Sequence, residues 1–310
     1  MTGELSLGPG AEFDMIRELL ERWGPRAVGI GDDAAVLRLP RGDALVASVD
    51  SAVEHQHFER EWLTPREIGY RAVAAALSDL AAMAAGPVGV LIAMTIPRAW
   101  MMSVLEIADG IADAVDVVGT RILGGNLAAG GELSITTTVM GAAFAPLTRD
   151  GARPNDRVYV TGRLGGVRAA IERLSSGKPA GEFHERFARP VPRIAEARWL
   201  ADRGASAAID VSDGLLADAR HLATASGVHM ALESRRVPAV AGISAASAMH
   251  SGEEYELLAT APRAIDTTEF ERRFGLPLTE IGRVTSGERG TVEVDGERVA
   301  NAAGYDHFSR

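Results

Sequence analysis

Five aspartates dominate the chemistry this sequence could support. Asp33 closes the turn Gly29-Ile30-Gly31-Asp32-Asp33, and Asp50 ends the apolar run Ser48-Val49-Asp50. Asp79 lies in Leu77-Ser78-Asp79-Leu80-Ala81-Ala82-Met83, and Asp210 and Asp213 flank Val211-Ser212. An Asp taken out of water costs several kcal/mol unless it is paired or bound to metal. No Lys or Arg stands within two residues of any of the five. Each alone could be a helix cap or a turn residue. Together, at strand ends and in an apolar helix, they favour a shared site for divalent cations.

Other segments are ambiguous when taken singly. Gly29-Ile30-Gly31-Asp32-Asp33-Ala34 has the form of a dinucleotide fingerprint, but such a fingerprint must open a helix, and Ala35 to Leu39 reads as extended. Two carboxylates beside a pyrophosphate would also repel it. Gly162-Arg163-Leu164-Gly165-Gly166 is either a phosphate cradle of backbone N–H groups or a plain strand-to-helix turn. Gly124-Gly125-Asn126 after a strand, His57 after a polar run, and Glu253-Glu254 at a strand entrance carry little signal alone. The single lysine, Lys178, is followed by proline in a loop, so any use of ATP proceeds without a Walker-type P-loop.

Composition narrows the class. The chain has 310 residues, a net charge of -10 and no cysteine. That charge argues against a nucleic-acid surface, and the missing cysteines exclude disulfides, thiolate metal sites and a cysteine nucleophile. Residues 1–12 carry no basic stretch followed by an apolar one, and the longest apolar run, Val88 to Pro97, is far short of the roughly 18 residues of a membrane span. A cytoplasmic enzyme is the expectation.

The elements that must position these residues follow from periodicity and capping. Helices are expected over Glu12 to Trp23, from the Thr64-Pro65-Arg66-Glu67 capping box to about Ala85, and over Met101 to Val118. Strands are expected at Ala34 to Leu39, Ala44 to Val49, Val88 to Ile96, Thr120 to Leu123 and Leu133 to Ala143. The Pro-, Gly-, Asp- and Arg-rich stretch from Pro146 to Asp156 suggests a boundary, giving domains 1–145 and 146–310. Beyond it come a strand at Arg157 to Thr161, helices at Val167 to Leu174 and Pro192 to Arg203, a strand at Ala207 to Val211 and a helix at Leu215 to Ser226. Two α/β domains fit this alternation.

In order along the chain, the segments resemble the thiamine-monophosphate kinase family of the aminoimidazole-ribonucleotide-synthetase superfamily. The resemblance rests on residues 29–35, on Asp50 with Val53-Glu54 and His57-Phe58, on residues 77–83, and on Gly124-Gly125. It continues through Leu147-Thr148-Arg149, Val160-Thr161-Gly162, residues 210–215, Ser251-Gly252-Glu253 with Tyr255-Glu256-Leu257, and the closing Gly304-Tyr305-Asp306-His307-Phe308. It implies a two-domain α/β (α+β) fold whose N-terminal domain pairs with its copy in a homodimer, with ATP and several Mg²⁺ ions in the cleft. Metal ligands would be Asp33, Ser48, Asp50, Asp79, Asp210 and Asp213, the last two at the centre of catalysis. Nucleotide contacts would be Gly125, Asn126, Arg149 and Ser212, and substrate contacts His57, Glu253 and Tyr305.

The implied reaction is Mg²⁺-assisted in-line transfer from ATP to thiamine monophosphate. Two other readings stay open: a superfamily enzyme acting on another small acceptor, and a homologue that binds without turnover. The chain departs from the family pattern at several positions. Asn126 stands where the family has a metal-binding Asp, His55 and Ala84 stand where it has Gly, Ala76 replaces Asn, and Glu254 replaces Asp.

Overall fold

The computed structural model describes residues 11–27, 37 and 39–299. The chain divides into two compact units, one of residues 1–80 and 86–144, the other of residues 81–85 and 145–310. No described helix is long and apolar enough to cross a membrane.

The first unit opens with α1 (Ala11–Trp23), an amphipathic helix that buries Leu19 and Trp23. The Trp23 indole N–H donates to the Ala108 carbonyl at 3.0 Å. Strand β1 (Ala44–Val53) runs longer than expected, and α2 (Pro65–Ala82) begins where the capping box places it. Both the Thr64 N–H and hydroxyl donate to Glu67 Oε2, at 2.8 and 2.9 Å. Strand β2 (Gly86–Ile96) follows, then a 3-10 turn over Arg98–Ser103 and helix α3 (Val104–Val118). The expected helix from Met101 therefore starts as a tighter turn. Arg22, Arg66 and Arg26 pair with Asp109, Asp113 and Asp116, which lie at helical spacing along α3.

Strands β3 (Ile122–Ala129) and β4 (Ser134–Ala143) complete the first sheet, in the order β1-β4-β2-β3. Only β2 and β3 run parallel. One face is dry, with Val90, Ile92, Met94, Ile135 and Val139 buried, and the register puts Ser48, Asp50 and Ala52 on that face. Where α2 and α3 cross, a β-carbon on Gly110 would sit 1.8 Å from the Arg66 carbonyl oxygen, so only glycine permits this approach.

The second unit begins with β5 (Arg157–Thr161) and α4 (Gly166–Ser175), then α5 (His184–Ala188) and α6 (Ile194–Asp202). Strand β6 (Ala207–Asp210) leads into α7 (Leu215–Ser226), β7 (His229–Leu232) and α8 (Ala245–Met249). Strand β8 (Leu257–Ala261), helix α9 (Thr267–Phe274) and strands β9 (Leu278–Thr285), β10 (Thr291–Val294) and β11 (Glu297–Arg298) finish it. The seven strands lie in the order β11-β10-β7-β9-β5-β8-β6, antiparallel except for β10 beside β7. Val158, Val160, Ile209, Leu222, Leu258 and Ile281 form its core with the inner face of α7.

Removing the N-cap hydroxyl of α2 should cost about 1 kcal/mol. Thr64→Ala is therefore expected to lower the urea midpoint with an unchanged m value.

Candidate active site

In the first unit, Ser48 and Asp50 project from the same face of β1. The Ser48 hydroxyl donates to Asp79 Oδ2 at 2.5 Å, fixing an α2 carboxylate against the strand. Asp50 Oδ1 accepts the Ser51 N–H at 2.7 Å. All three residues are half-buried. The cross-strand row through Asp50 passes Thr137 on β4 and Ile92 on β2 and ends at Gly125 on β3. At Gly125 a β-carbon would lie 1.8 Å from the Ile92 carbonyl oxygen, so the chain can come this close only as glycine.

Gly124, Gly125 and Asn126 lie inside β3 rather than after a strand. Asn126 pairs with Ala93 and is exposed, one position beyond the Asp50 row.

The turn after β1 holds His57. Its Nδ1 accepts the Val53 N–H at 3.1 Å, which leaves the ring proton on Nε2 when the imidazole is neutral. The turn closes through the His55 N–H to the Phe58 carbonyl at 2.8 Å. His55, where the resemblance led us to expect glycine, holds a left-handed φ of 67°. Behind the turn, the buried Glu54 carboxylate accepts the Trp100 indole N–H and the Leu133 N–H.

In the second unit, buried Asp210 ends β6, and residues 211–214 form the turn into α7. One side chain organises this turn. Asp218 Oδ2 accepts the N–H groups of Ser212, Asp213 and Gly214, each at 3.1 Å. Burial pushes the Asp218 carboxyl up to about 8, and the charges of Asp210 and Asp213 add to the rise, outweighing the N–H bonds that oppose it. One helical turn further, His221 Nε2 lies 3.7 Å from Asp213 Oδ2. Asp213, Asp218 and His221 each offer a ligand atom within 4.8 Å of the others.

The segment carrying Glu253 is stitched to the same turn. The Glu253 N–H donates to the Ser212 carbonyl at 2.6 Å, and the Tyr255 N–H to the Val211 carbonyl at 2.9 Å. Glu253 and Tyr255 hold left-handed φ values of 55° and 52°, strain that the surrounding hydrogen bonds must maintain. Asp210, Ser212, Asp213 and Glu253 are thus gathered in one place. Arg149 is exposed, and its carbonyl accepts the Ser226 hydroxyl at 2.7 Å. Asp33 and Tyr305 lie outside the described residues, as does most of the strand expected at Ala34 to Leu39.

The glycine loop before α4 is not a free cradle. Glu254 reaches into it, accepting the Gly165 and Val167 N–H groups at 2.7 and 3.1 Å and the Ser251 hydroxyl at 2.6 Å. Burial raises the Glu254 carboxyl, against the bonds from Ser251, Val167 and Gly165 and the charge of Arg186. Sequence reasoning missed Glu254 here because its partners stand almost ninety positions earlier. It also missed Asp218 and His221, whose signal was Asp218 sharing the α7 face of buried Leu215, Ala219 and Leu222.

Known protein families match both units. The AIR synthase related protein N-terminal domain matches residues 31–143, and the corresponding C-terminal domain matches residues 153–295. With the two mixed sheets, these matches define a two-domain mixed α/β protein of the AIR-synthase-related class. Thiamine-monophosphate kinase of Escherichia coli is 35% identical over 329 aligned residues, covering 96% of this chain and 98% of that relative. The enzyme of Aquifex aeolicus is 33% identical, covering 97% and 98%.

Among solved structures, thiamine-monophosphate kinase from Stenotrophomonas maltophilia aligns with a TM-score of 0.82 and 32% identity, over 93% of this chain and 98% of that one. AaThiL complexed with AMPPCP and TMP aligns with a TM-score of 0.78 and 32% identity, over 95% of each chain. The chain belongs to the thiamine-monophosphate kinase family. Hydrogenase maturation protein HypE of E. coli, 20% identical with a TM-score of 0.77, shares the fold alone.

The Asp218 anchor makes a sharp prediction. A protonated carboxyl and an amide have nearly the same shape, so Asp218→Asn should keep the turn and melt close to the parent. Asp218→Ala deprives three N–H groups of their acceptor and should cost about 1–3 kcal/mol in denaturant unfolding.

Proposed function

We propose that this protein transfers the γ-phosphoryl group of ATP to the phosphate of thiamine monophosphate, yielding thiamine diphosphate and ADP. The observation that carries this reading is a half-buried set of oxygen donors, Ser48, Asp50 and Asp79, in a chain that aligns over almost its whole length with thiamine-monophosphate kinases. A relative complexed with AMPPCP and TMP supports the same pair of substrates.

The donors suit Mg²⁺, which takes oxygen ligands and keeps positions for phosphate oxygens. Asp33, Ser48, Asp50 and Asp79 would hold ions from the first unit, and Asp210 and Asp213 from the second. When bound, Mg²⁺ would neutralise phosphate charge and so lower the barrier to one anion approaching another. Asp210 and Asp213 are the catalytic pair of this reading. Gly125, Asn126, Arg149 and Ser212 serve the nucleotide, and His57, Glu253 and Tyr305 the acceptor. A phosphate monoester has a second pKa of about 6, so its oxygen is already ionised at neutral pH and needs no general base. The protein's part is to position and neutralise.

The reading extends to assembly. The outer face of the first sheet leaves Leu45 at 54% and Val49 at 61% exposed on its edge strand, a surface that suits a second copy of this chain. Such a homodimer would work in the cytoplasm, where ATP is available.

Incubation of pure protein with ATP, Mg²⁺ and thiamine monophosphate, followed by chromatography, is expected to yield thiamine diphosphate. Consumption of ATP without that product would move the assignment to another acceptor, and binding without turnover would make the chain a non-catalytic homologue. Asp79→Asn should raise the Mg²⁺ concentration needed for half-maximal turnover about tenfold, as loss of a close charge pair implies. An unchanged Mg²⁺ titration in the folded variant would remove Asp79 from the ligand set. Light scattering should report a dimer for the parent and a monomer for Val49→Asp.

A further inference from the structure

The one polar side chain of the Asp50 row that the proposed reaction does not use is Thr137. Its side chain is fully buried, yet its hydroxyl has no hydrogen-bond partner among the described residues. Buried hydroxyls are normally satisfied, and a β-strand offers valine as an apolar residue of the same shape. An unsatisfied hydroxyl in such a place calls for an explanation.

The register supplies one. Thr137 is the direct cross-strand partner of Asp50. Side chains so paired share a face, with β-carbons about 4.5–5.5 Å apart. Ser48, two residues before Asp50 on β1, projects from the same face and donates to Asp79. Thr137 therefore stands beside the oxygen donors proposed for Mg²⁺, within the same unit and on the same rigid sheet. Among the described residues, Asp50 accepts a hydrogen bond only from the Ser51 N–H, on Oδ1.

We propose that Thr137 is a positioning residue of this site, whose hydroxyl donates to the Asp50 carboxylate when a cation fixes that carboxylate in its binding orientation. Thr137 does not touch the reacting atoms. It selects one rotamer of Asp50. The inference rests on the metal-assisted reading of the site and deepens it.

The test compares the full-length parent with Thr137→Val, Thr137→Ser and Asp50→Asn, by Mg²⁺ titration calorimetry in the presence of AMPPCP and by melting with and without both ligands. Thr137→Val should melt at or above the parent without ligands, because an unmatched hydroxyl has been replaced by a methyl group. It should bind Mg²⁺ about tenfold more weakly, the loss expected for one hydrogen bond to a charged group. Thr137→Ser, which keeps the hydroxyl, should bind within about twofold of the parent.

Equal Mg²⁺ affinity in the valine variant and the parent would overturn the proposal. So would equal weakening in the valine and serine variants, which would make Thr137 a packing residue. If the valine variant does not fold, Thr137→Ala against Thr137→Ser poses the same question, since the two differ only in the hydroxyl. Asp50→Asn separates the two levels of inference. An unchanged titration there defeats Asp50 as a metal position and Thr137 with it, whereas weakening there beside an unaffected Thr137→Val defeats only Thr137.

Discussion

Negative charges gathered in small volumes set the terms for both units. At about 4 Å and an effective dielectric near 20, two carboxylates repel by about 4 kcal/mol. Several hydrogen bonds to these groups come from neutral donors: the Ser48 hydroxyl to Asp79, the Ser51 N–H to Asp50, and three successive N–H groups to Asp218. Such donors orient a carboxylate without cancelling its charge. Burial, with the charges of Asp210 and Asp213 added, pushes the Asp218 carboxyl upward.

Arginine is used elsewhere in the described structure. Arg193 forms a two-pronged pair with buried Glu256, at 2.9 and 2.6 Å, and Thr161 donates to the same carboxylate at 2.6 Å. That network locks the start of β8 to the end of β5 and thereby holds the strained Glu253–Tyr255 segment at one end. The arginines along α3 sit on the surface, where ion pairs contribute little individually. Arginine thus braces the Glu256 network, whereas hydroxyls and backbone amides brace Asp79, Asp50 and Asp218.

Much of the framework was legible in the sequence because it is encoded locally. Helix α7 spans the residues that its periodicity indicated, the Thr64 box caps α2, and β5 runs from Arg157 to Thr161. Local signals failed where glycine suppressed them: β3 continues through Gly124 and Gly125, residues that weaken a strand pattern without ending the strand. The candidate carboxylates stood out from their apolar surroundings and the absence of nearby bases in sequence, but their supports did not. Asp218 looks like one more polar helix residue until the turn folds back onto it. Glu254 gives no hint that it fills the glycine loop, since that contact joins segments far apart in the chain. Thr137 acquires meaning only through a strand register.

Ala84 holds a left-handed φ of 52°, a conformation that favours glycine, closed by its N–H to the Ala81 carbonyl at 2.9 Å. An L-residue in that conformation costs about 1–2 kcal/mol, of which the greater unfolded-state freedom of glycine would take back about 0.5–1 kcal/mol. Placing glycine there thus offers a small reserve of stability at a position outside the candidate site. Proteins operate near a stability threshold, and the number of substitutions they survive depends on that margin. Position 84 consequently bears on evolvability: with the backbone relieved there, the carboxylate site could explore sequence changes that the present chain would not tolerate.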